Sequence, residues 1–506
     1  MTKILLLNPY CTSSINKRTY SAEPLGLLSL ATYIRDKLSV KYPSIRISII
    51  DTYFNGVPIC IKTKKGYRSG LSDVEICKLI KDADPDIIGV SNSYTAYTED
   101  SLSLLKLANK ICPNALTIIG GAHATIDHKY LITKKYIDVV VRGEGEETLR
   151  EIIYNVYSKI PIKDITGITY KANDQIICNP DRALIQNLDD LPIPDRSFID
   201  YLQYLKKSKE LYFLPSRKPV GTIFSSRGCM FKCIFCSTQK VWTNKWRSRS
   251  AEKMLEEVNY LREKYGVREI AFQDDQFMGS KDRIIQLCKL IINQNLKMSF
   301  IAPSGISPAL LDREVLFYLK QAGFYRICFS IDVGTKESAS YVRKPINLQK
   351  VRDLIVYANH LGIWTYGTFV IGFPFETVEN LVETKIFSYN LKLDFLRFYI
   401  AQPHMGSDLY DEYLKNNLID DRVTQHHSMG DSLFGTKYIS AEQLCKFRED
   451  FENDYVQFHI KHLTSIKYIV NEFIPKIFGP KKGLYFLKLL IFYLNQRFIT
   501  PEKNKL

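Results

Sequence analysis

The chain has 506 residues, 45% hydrophobic and 24% charged, which is enough for large buried cores and about two to four domains. Its Gly and Pro content is ordinary, which excludes a fibrous or low-complexity protein, and no apolar run approaches the roughly 20 residues of a membrane-spanning helix. The net charge of +15 suits nucleic acid, anionic lipid or phosphate-bearing cofactors, but no nucleic-acid-binding motif is found. We therefore expect a soluble cytoplasmic protein that does not bind nucleic acid.

Residues 1–155 alternate between strand-like and helix-like segments. Compact apolar strands are predicted at KILLLNP, SIRISIIDTY, DIIGVSNS, ALTIIGGAHA and DVVVRGEG. The segments between them have helical spacing, namely EPLGLLSLATYIRDKL, SDVEICKLIKDA, TEDSLSLLKLANKI and ETLREIIYNV. Because short buried strands that alternate with helices form βαβ units, this region predicts an α/β domain with a doubly wound parallel sheet.

Residues 156–205 interrupt this alternation. The segment ITGITYKANDQIICNP predicts a hairpin that turns at Asn173 and Asp174. The following NLDDLPIPDRSFID has two prolines and no apolar period. We expect a hairpin and a linker here.

Residues 206–430 contain a second alternating series. Its strands are predicted at VGTIFSS, REIAFQD, KMSFIAPS, YRICFSID, IWTYGTFVIGF and FLRFYIAQP, with helical segments between them. Six βα-type repeats favour a partial (β/α)6 TIM-type barrel over an open sheet, although periodicity alone cannot close the barrel.

Residues 431–506 predict a helical and basic C-terminal region. The tail from 461 to 506 has nine Lys and Arg against Glu472 and Glu502, interleaved with Phe, Tyr, Ile and Leu. Such a tail could make peripheral contact with a membrane or cover the barrel. A solvated basic helical face is the simpler alternative.

Only three of the eleven cysteines are clustered, Cys229, Cys233 and Cys236 in SSRGCMFKCIFCS, directly after a predicted strand. Thiolates bind zinc or iron–sulfur clusters. Structural zinc has four protein ligands, and no fourth Cys or His lies nearby in the sequence. The triplet therefore favours a cubane cluster with one iron open to a substrate over zinc or over three coincident structural thiols.

With Phe235 before its last cysteine, this loop resembles the signature of the radical S-adenosylmethionine (SAM) superfamily. The resemblance implies a [4Fe–4S] cluster bound by the three cysteines. It also implies that SAM is chelated at the open iron and reductively cleaved to a 5′-deoxyadenosyl radical, with Phe235 helping to seat the adenine.

Polar or glycine-rich segments after the later barrel strands resemble the SAM-binding segments of this family. FSIDVGT resembles the pattern IESGS, with Asp332 where Glu is usual, and IGFPFET resembles the GxP-ET segment near the adenine. The residues expected near SAM are Gln273, Asp274, Asp275, Ser304, Ser330, Asp332, Gly372, Phe373 and Pro374. For each of these segments taken alone, the alternative interpretation is an ordinary loop cap. In QPHMGSDLY, which resembles a family loop, His404 is a candidate acid or base, although a lone loop histidine is more often only exposed.

The segments DIIGVSNSYT, IIGGAHAT and VVRGEGEETL resemble the cobalamin-binding domain that precedes the barrel in the class B methyltransferase-like radical SAM subgroup. In doubly wound folds, ligands bind at the carboxyl ends of the strands. The expected cobalamin-binding residues are Asn8, Pro9, Ser91, Asn92, Ser93, Gly120, Gly121, His123, Gly143 and Glu144. The lower-ligand motif DxHxxG is absent, which implies cobalamin without a protein imidazole. A relic domain that no longer binds corrinoid, and a structural role for His123, are the alternatives.

Together these resemblances imply an enzyme that methylates an unactivated carbon of a small-molecule or lipid substrate, using a [4Fe–4S] cluster, SAM and cobalamin. An external donor such as flavodoxin or ferredoxin would supply electrons. Radical cyclisation, rearrangement or carbon–carbon bond formation on a lipid or natural product is the alternative with the same cofactors. A non-catalytic iron–sulfur or corrinoid carrier is the alternative of another class.

Overall fold

The computed structural model describes residues 1–13, 23–54, 60–63, 66–212, 214–419 and 434–463. The β-strands of this part of the chain are β1 Thr2–Asn8, β2 Cys11–Ser13, β3 Ile45–Asp51, β4 Cys60–Thr63, β5 Gly66–Ser69, β6 Ile87–Ser91, β7 Leu116–Gly120, β8 Val139–Val141, β9 Ile168–Ala172, β10 Gln175–Cys178, β11 Val220–Ile223, β12 Ser226–Arg227, β13 Arg247–Ser248, β14 Glu269–Phe272, β15 Ser299–Ile301, β16 Arg326–Asp332, β17 Trp364–Ile371 and β18 Phe395–Ile400.

The α-helices are α1 Leu25–Ile34, α2 Asp73–Ala83, α3 Thr98–Ile111, α4 Ala122–Ile126, α5 His128–Leu131, α6 Gly145–Ser158, α7 Tyr201–Leu211, α8 Thr238–Trp242, α9 Ala251–Tyr265, α10 Lys281–Asn293, α11 Arg313–Ala322, α12 Lys336–Val342, α13 Leu348–His360, α14 Val378–Asn390, α15 Asp408–Lys415 and α16 Ala441–Leu463. These elements divide between two compact units. The first contains residues up to 207 together with two later segments, which begin at Cys236 and at Pro403. The domain boundaries at 155, 205 and 430 stay predictions.

A seven-stranded sheet forms the centre of the first unit, in the order β10-β9-β8-β7-β6-β1-β3. The strands from β3 to β8 in this order are parallel. Successive side chains of β1 enter opposite cores, because Ile4 and Leu6 pack on one face of the sheet and Leu5 and Leu7 on the other. Both faces are therefore covered, and the predicted doubly wound parallel sheet is confirmed.

The β9–β10 hairpin extends this sheet through an antiparallel pairing of β9 with β8. Asn173 and Asp174 form its turn with φ angles of 48° and 59°. This left-handed conformation is one that Asn and Asp tolerate better than most residues. The hairpin therefore turns where the sequence predicts, and it continues the parallel sheet.

The first unit also contains elements that the sequence does not predict, among them a small antiparallel sheet in the order β2-β5-β4 and the helix α4. The segment ALTIIGGAHA was predicted as one strand, but β7 ends at Gly120 and α4 begins at Ala122. Gly121 between them has a φ of 123°, and a Cβ there would lie 2.6 Å from the Asn92 carbonyl oxygen. Only glycine fits this turn, so the strand prediction was wrong beyond Gly120.

Six strands of the second unit form two parallel three-stranded sheets of order β11-β14-β15 and β16-β17-β18. Single parallel bridges join Phe300 to Phe324 and Ile306 to Phe329. The connections between successive strands contain α9, α10, α11, α13 and α14. This arrangement confirms the predicted partial (β/α)6 barrel.

Helix α16 covers β18, which lies at the edge of its sheet. The Phe398 N–H donates to Glu452 Oε1 at 3.0 Å, and the Tyr455 hydroxyl donates to the Leu393 carbonyl at 2.5 Å. The helix thus gives a partner to an edge-strand group that would otherwise be unpaired. The rest of the predicted C-terminal region, including the basic tail after residue 463, lies outside the described residues. None of the described helices is both long and apolar enough to span a bilayer.

Candidate active site

The cysteine-containing loop lies between β12 and α8. The Ile234 N–H donates to the Val342 carbonyl at 3.1 Å, which ties the middle of the loop to the end of α12. Cys233 is 9% exposed, and the Cys236 thiol donates to the Thr238 hydroxyl at 3.1 Å. The loop is thus anchored close to each of these two cysteines.

The donor chemistry of the loop consists of three thiols, those of Cys229, Cys233 and Cys236. Among the described residues, no three Cys, His, Asp or Glu side chains form a preformed metal-binding group. Three thiols on one short loop are the donor set that an iron–sulfur cluster uses.

The segment that leads into this loop is held by a buried carboxylate, that of Asp274. Its Oδ1 accepts hydrogen bonds from the Ser225 N–H at 2.8 Å and from the Ser225 and Ser226 hydroxyls at 3.0 and 2.6 Å. Arg283 donates to the Ser225 carbonyl at 3.0 Å and to the Phe277 carbonyl at 2.8 Å. Asp274 is 1% exposed, and burial raises the pKa of its carboxyl. Its contacts are thus with the protein, and a contact with SAM stays a prediction.

Two predicted SAM-binding residues at neighbouring strand ends are brought together. The Ser304 hydroxyl donates to Gln273 Oε1 at 3.2 Å, and Gln273 Nε2 donates to the Tyr212 hydroxyl at 3.2 Å. Ser304 and Asp275 are exposed beyond the carboxyl ends of β15 and β14. These positions leave their polar groups accessible to a ligand.

Asp332 ends β16 with a φ of 64° and forms an ion pair with Lys344. Lys344 Nζ also donates to the Ser330 carbonyl at 2.7 Å. The side chains of Asp332 and Lys344 are 13% and 5% exposed. A SAM amino group at this position would share the carboxylate with Lys344. Lys344 carries no signal in the sequence, since no periodicity relates it to Asp332.

Phe235, which precedes the last cysteine, stacks on Phe373 with a ring separation of 6.2 Å and an interplanar angle of 29°. Phe373 is fully buried, and Pro374 beside it is also buried. The Pro374 carbonyl accepts a hydrogen bond from the Lys437 N–H at 3.1 Å. The structure therefore brings together Phe235 and the predicted adenine-binding segment.

Glu376 organises that segment. Its Oε2 accepts hydrogen bonds from the Gly372 and Phe373 N–H groups at 2.7 and 3.1 Å, and its Oε1 accepts one from the Ser338 hydroxyl at 3.0 Å. Glu376 is 1% exposed, and burial raises the pKa of its carboxyl to about 7. The sequence signal for this role was its place in the ET pair of IGFPFET.

In the first unit, the predicted cobalamin-binding segments meet after β6 and β7. The Asn92 N–H donates to the Gly120 carbonyl at 2.7 Å. The Asn92 side chain is fully buried, and its amide has no hydrogen-bond partner among the described residues. His123 is 2% exposed and its Nδ1 lies 3.0 Å from the Thr95 hydroxyl. This contact with Thr95 agrees with the structural role that is the alternative to cobalamin binding for His123.

The glycine turn after β8 is linked to the helix that follows the glycine turn after β7. Gly143 has a φ of 69°, and its N–H donates to Thr125 Oγ1 at 2.9 Å. No heavy atom of the described residues lies within 4 Å of a Cβ placed on Gly143. The Ser91 and Ser93 hydroxyls are 3.4 Å apart after β6. The edge of the sheet is therefore open at this turn.

Other predicted residues contact the protein itself. Asn8 donates to Asp51 Oδ1 at 2.9 Å, and Tyr204 of α7 bonds the other oxygen of that carboxylate. Pro9 is half-buried next to Asn8. The Glu144 carboxylate accepts hydrogen bonds from Arg247. Contacts of Asn8, Pro9 and Glu144 with cobalamin stay predictions.

His404 is exposed in the loop after β18, and its carbonyl accepts a hydrogen bond from the Ser407 N–H at 2.9 Å. None of the hydrogen bonds of the described residues joins its imidazole to another predicted site residue. An acid–base role for His404 stays a prediction.

Two family models match this sequence. The radical SAM superfamily matches residues 223–387, and the B12 binding domain matches residues 14–153. The uncharacterized methyltransferase PH0819 of Pyrococcus horikoshii is 31% identical over 467 residues, which cover 92% of this chain and 94% of that relative. This chain belongs to the radical SAM superfamily. It is a member that also carries a B12-binding domain.

Two further similarities span most of this radical SAM protein. The cytidylyl-2-hydroxyethylphosphonate methyltransferase of Streptomyces wedmorensis is 29% identical over 490 residues, which cover 89% of this chain and 90% of that relative. The structure of the radical SAM methyltransferase TsrM from Kitasatospora setae, with cobalamin and a [4Fe–4S] cluster bound, has a TM-score of 0.67 and 16% identity. The match covers 82% of this chain and 78% of the TsrM chain, and the two proteins share the same fold.

The protein is therefore a radical SAM enzyme with SAM, a [4Fe–4S] cluster and cobalamin as its cofactors. Its described residues fit these groups. The three thiols match the cluster, and the half-buried Phe235 ring, which stacks on Phe373, offers an aromatic surface within the cysteine loop. At the first unit, Gly121 and Gly143 keep the backbone of two turns free of side-chain atoms.

Proposed function

We propose that this enzyme methylates an unactivated carbon of a small polar molecule. The observation that carries this proposal is the similarity, along about nine-tenths of both chains, to two relatives that are both named methyltransferases. When bound, the cofactors supply the radical that removes a hydrogen atom and the methyl group that replaces it. The protein has to bind, orient and enclose the substrate.

The polar character of the substrate is inferred from the inside of the barrel. Aromatic and aliphatic side chains of the barrel strands and of neighbouring segments form two small packed clusters. One contains Tyr212, Val220, Ala271, Ile301 and Tyr325, and the other contains Tyr325, Trp364 and Phe395. We infer that a polar substrate binds beside the polar side chains of the strands and not at these clusters.

One face of β17 is half-buried and partly polar. In β17, Phe369 and Ile371 point outward and are fully buried, whereas the alternate residues Tyr366, Thr368 and Val370 are half-buried. Because side chains alternate along a strand, these three face the interior and border open space.

The neighbouring strands continue this polar wall. Ser330, Thr368 and Arg397 lie side by side at one level of β16, β17 and β18. Tyr399 lies one inward position further along β18 and is half-buried. The wall thus offers hydroxyl groups and a guanidinium to a ligand.

A wall that carries hydroxyl groups favours a small polar substrate over a lipid, because a polar ligand can form hydrogen bonds with these groups in addition to their contacts within the protein, such as that of the Thr368 hydroxyl with the Phe329 carbonyl. The Streptomyces wedmorensis relative is named for a cytidylyl phosphonate, which is a polar and anionic molecule. Arg397 supplies a cation for such a group, although it also contacts Glu452 at 3.1 Å. We therefore include anionic phosphonate or phosphate esters in the proposed substrate class.

We propose the following roles for the site residues. Cys229, Cys233 and Cys236 bind the cluster, and the SAM-binding and cobalamin-binding residues are those expected from the sequence, except Asp274 and Glu144, whose carboxylates contact the protein itself. Asp274 and Glu376 act through other groups. The Asp274 carboxylate holds the backbone of the segment that leads into the cysteine loop, and the Glu376 carboxylate holds the backbone of the Gly372–Phe373 turn. An external flavodoxin or ferredoxin supplies electrons.

The test uses anaerobically reconstituted protein with dithionite, SAM, methylcobalamin and cytidylyl-2-hydroxyethylphosphonate as probe. We expect 5′-deoxyadenosine together with a product 14 Da heavier than the probe, measured by mass spectrometry. A hopanoid in vesicles serves as the lipid probe. Methylation of the lipid but not of the phosphonate would contradict the proposed substrate class.

The Cys233→Ala variant is the control, since loss of one thiol removes a ligand from the proposed cluster. Deoxyadenosine without any methylated product from either probe, or from an extract of small polar metabolites, would contradict methylation and favour the cyclisation or rearrangement alternative.

A further inference from the structure

The third cysteine begins a segment that belongs to the first compact unit. Residues Cys236–Arg249 are part of that unit, whereas Phe235 is part of the second. Within the first unit, α8 of this segment packs against α4, the helix that follows the Gly121 turn. Arg249 Nη2 also donates to the Pro192 carbonyl at 3.1 Å. The segment after Cys236 is therefore anchored to the B12-binding-type unit.

The strongest anchor is a buried ion pair between Arg247 and Glu144. Arg247 Nη1 donates to both Glu144 oxygens at 3.0 and 2.9 Å and to the Ile185 carbonyl at 2.5 Å. The two side chains are only 7% and 3% exposed. Nε and Nη2 of Arg247 are buried without a hydrogen-bond partner among the described residues. The Glu144 carboxylate therefore compensates the buried charge of Arg247. Removal of this carboxylate would leave that charge unpaired and would strongly destabilise the folded protein.

Glu144 directly follows Gly143 and is the N-cap residue of α6. The Gly143 N–H donates to Thr125 Oγ1 at 2.9 Å, and the Thr125 hydroxyl donates to the Gly121 carbonyl at 2.9 Å. The two glycine turns are thus linked by hydrogen bonds through the Thr125 hydroxyl. One continues into Glu144 and the other into α4, so both lead to the segment after Cys236.

We propose that Glu144 and Arg247 are positioning residues that couple cobalamin binding at the glycine turns to the position of Cys236. This inference rests on the proposed roles of Cys236 and of the two turns. A ligand that orders the turns fixes Glu144, which fixes Arg247 and through it the segment that begins with the third cysteine. Because coupling between two binding events is reciprocal, an assembled cluster must also change the affinity for cobalamin.

The experiment measures the dissociation constant of hydroxocobalamin by absorbance, on full-length protein with the cluster reconstituted and on the same protein without iron. For the wild type we expect about tenfold tighter binding when the cluster is present. In Arg247→Gln we expect the ratio of the dissociation constants without and with the cluster to fall towards one. In Arg247→Lys it is largely restored, because a single nitrogen, Nη1, makes all three contacts of Arg247.

Lys3→Gln is the matched control, since it removes a cation of an exposed ion pair in the same unit and should keep the wild-type ratio. If Arg247→Gln does not fold, the double variant Glu144→Gln with Arg247→Gln replaces it, because it leaves neither buried charge unpaired. Thermal unfolding checks that each variant is native.

A second readout is the rate at which a chelator removes iron from the cluster. We expect hydroxocobalamin to slow this loss severalfold in the wild type and in Lys3→Gln, and to have no effect in folded Arg247→Gln. A wild-type affinity ratio of one, or a wild-type ratio in a folded Arg247→Gln variant, would overturn the proposal. So would a Glu144→Gln variant that weakens cobalamin binding equally with and without the cluster, since that marks a direct contact only.

These measurements are independent of methyl transfer. A coupled protein that forms no methylated product would overturn the proposed function and leave the coupling standing. A protein that methylates with an affinity ratio of one would do the reverse.

Discussion

The two cofactor regions of this enzyme are built in different ways. Around the cysteine loop, buried carboxyl groups hold the backbone, with Asp274 on the approach to the loop and Glu376 at the Gly372–Phe373 turn. At the edge of the first sheet, glycine turns and hydrogen bonds of 2.9 Å hold the backbone, as at Gly121 and Gly143. We therefore expect the region around the cysteine loop to be destabilised by substitutions that remove side-chain atoms and by a change of pH. We expect the glycine turns of the first sheet to be destabilised by substitutions that add side-chain atoms.

Gly121→Ala should have the largest effect. The added Cβ would lie 2.6 Å from the Asn92 carbonyl oxygen, and the φ of 123° suits only glycine. We expect a loss of about 5 kcal/mol in the free energy of unfolding of the first unit, and loss of cobalamin binding. Denaturant unfolding and a hydroxocobalamin titration measure these effects. Gly143→Ala is the matched control, because strain without a clash should cost only about 1 kcal/mol. Equal effects of the two variants would contradict the role of close approach at Gly121.

Asp274→Ala should have the next largest effect. It removes the acceptor of three hydrogen bonds from Ser225 and Ser226 and leaves Arg283 with less compensation. We expect a loss of about 4 kcal/mol and reduced iron content after reconstitution. The neighbouring exposed Asp275 is the control. Asp275→Ala should change unfolding by less than about 0.5 kcal/mol and lower only the affinity for SAM. Normal iron content in Asp274→Ala would contradict its positioning role.

Glu376 should make stability depend on pH. Burial raises the pKa of its carboxyl from 4.5 to about 7, so the folded protein keeps a proton that the unfolded chain has lost. Its contribution is therefore fully present below about pH 4.5 and is lost as the pH rises through about 7. The unfolding free energy of the wild type relative to Glu376→Gln should fall by on the order of 3 kcal/mol over that range.

Denaturant unfolding of the wild type and of Glu376→Gln at pH 5, 6, 7 and 8 measures this difference. Glu383→Gln, a change at an exposed position of α14, is the control and should show no comparable trend. A constant difference between the wild type and Glu376→Gln would mean that Glu376 titrates normally.

Thr368→Val should have the smallest effect. It replaces one hydroxyl of the polar wall by a methyl group of similar size at a half-buried position. We expect about fivefold weaker binding of a polar substrate, equivalent to about 1 kcal/mol, with normal SAM cleavage. Isothermal titration with cytidylyl-2-hydroxyethylphosphonate measures it. Val370→Thr is the reciprocal control on the same strand face, and unchanged affinity in Thr368→Val would argue against this wall as the substrate site.

The sequence by itself determined the α/β character and most of the elements. Alternating apolar strands and helical periods predicted the doubly wound sheet and the six barrel strands, and the TEDSLSLLKLANKI segment forms α3 with the predicted ends, Thr98 and Ile111. The cysteine triplet was also evident, since its three ligands lie within eight residues of chain. Such features are local, and periodicity and spacing record local requirements.

The tertiary structure alone decided the partners of the charged residues. Asp332 pairs with Lys344, and Glu144 pairs with Arg247 more than a hundred residues away. It also decided that α4 follows Gly121, because the turn depends on the proximity of Asn92. These contacts join residues that no sequence period relates. A buried charge is stable only where the fold brings its partner, and that is a property of the packed chain.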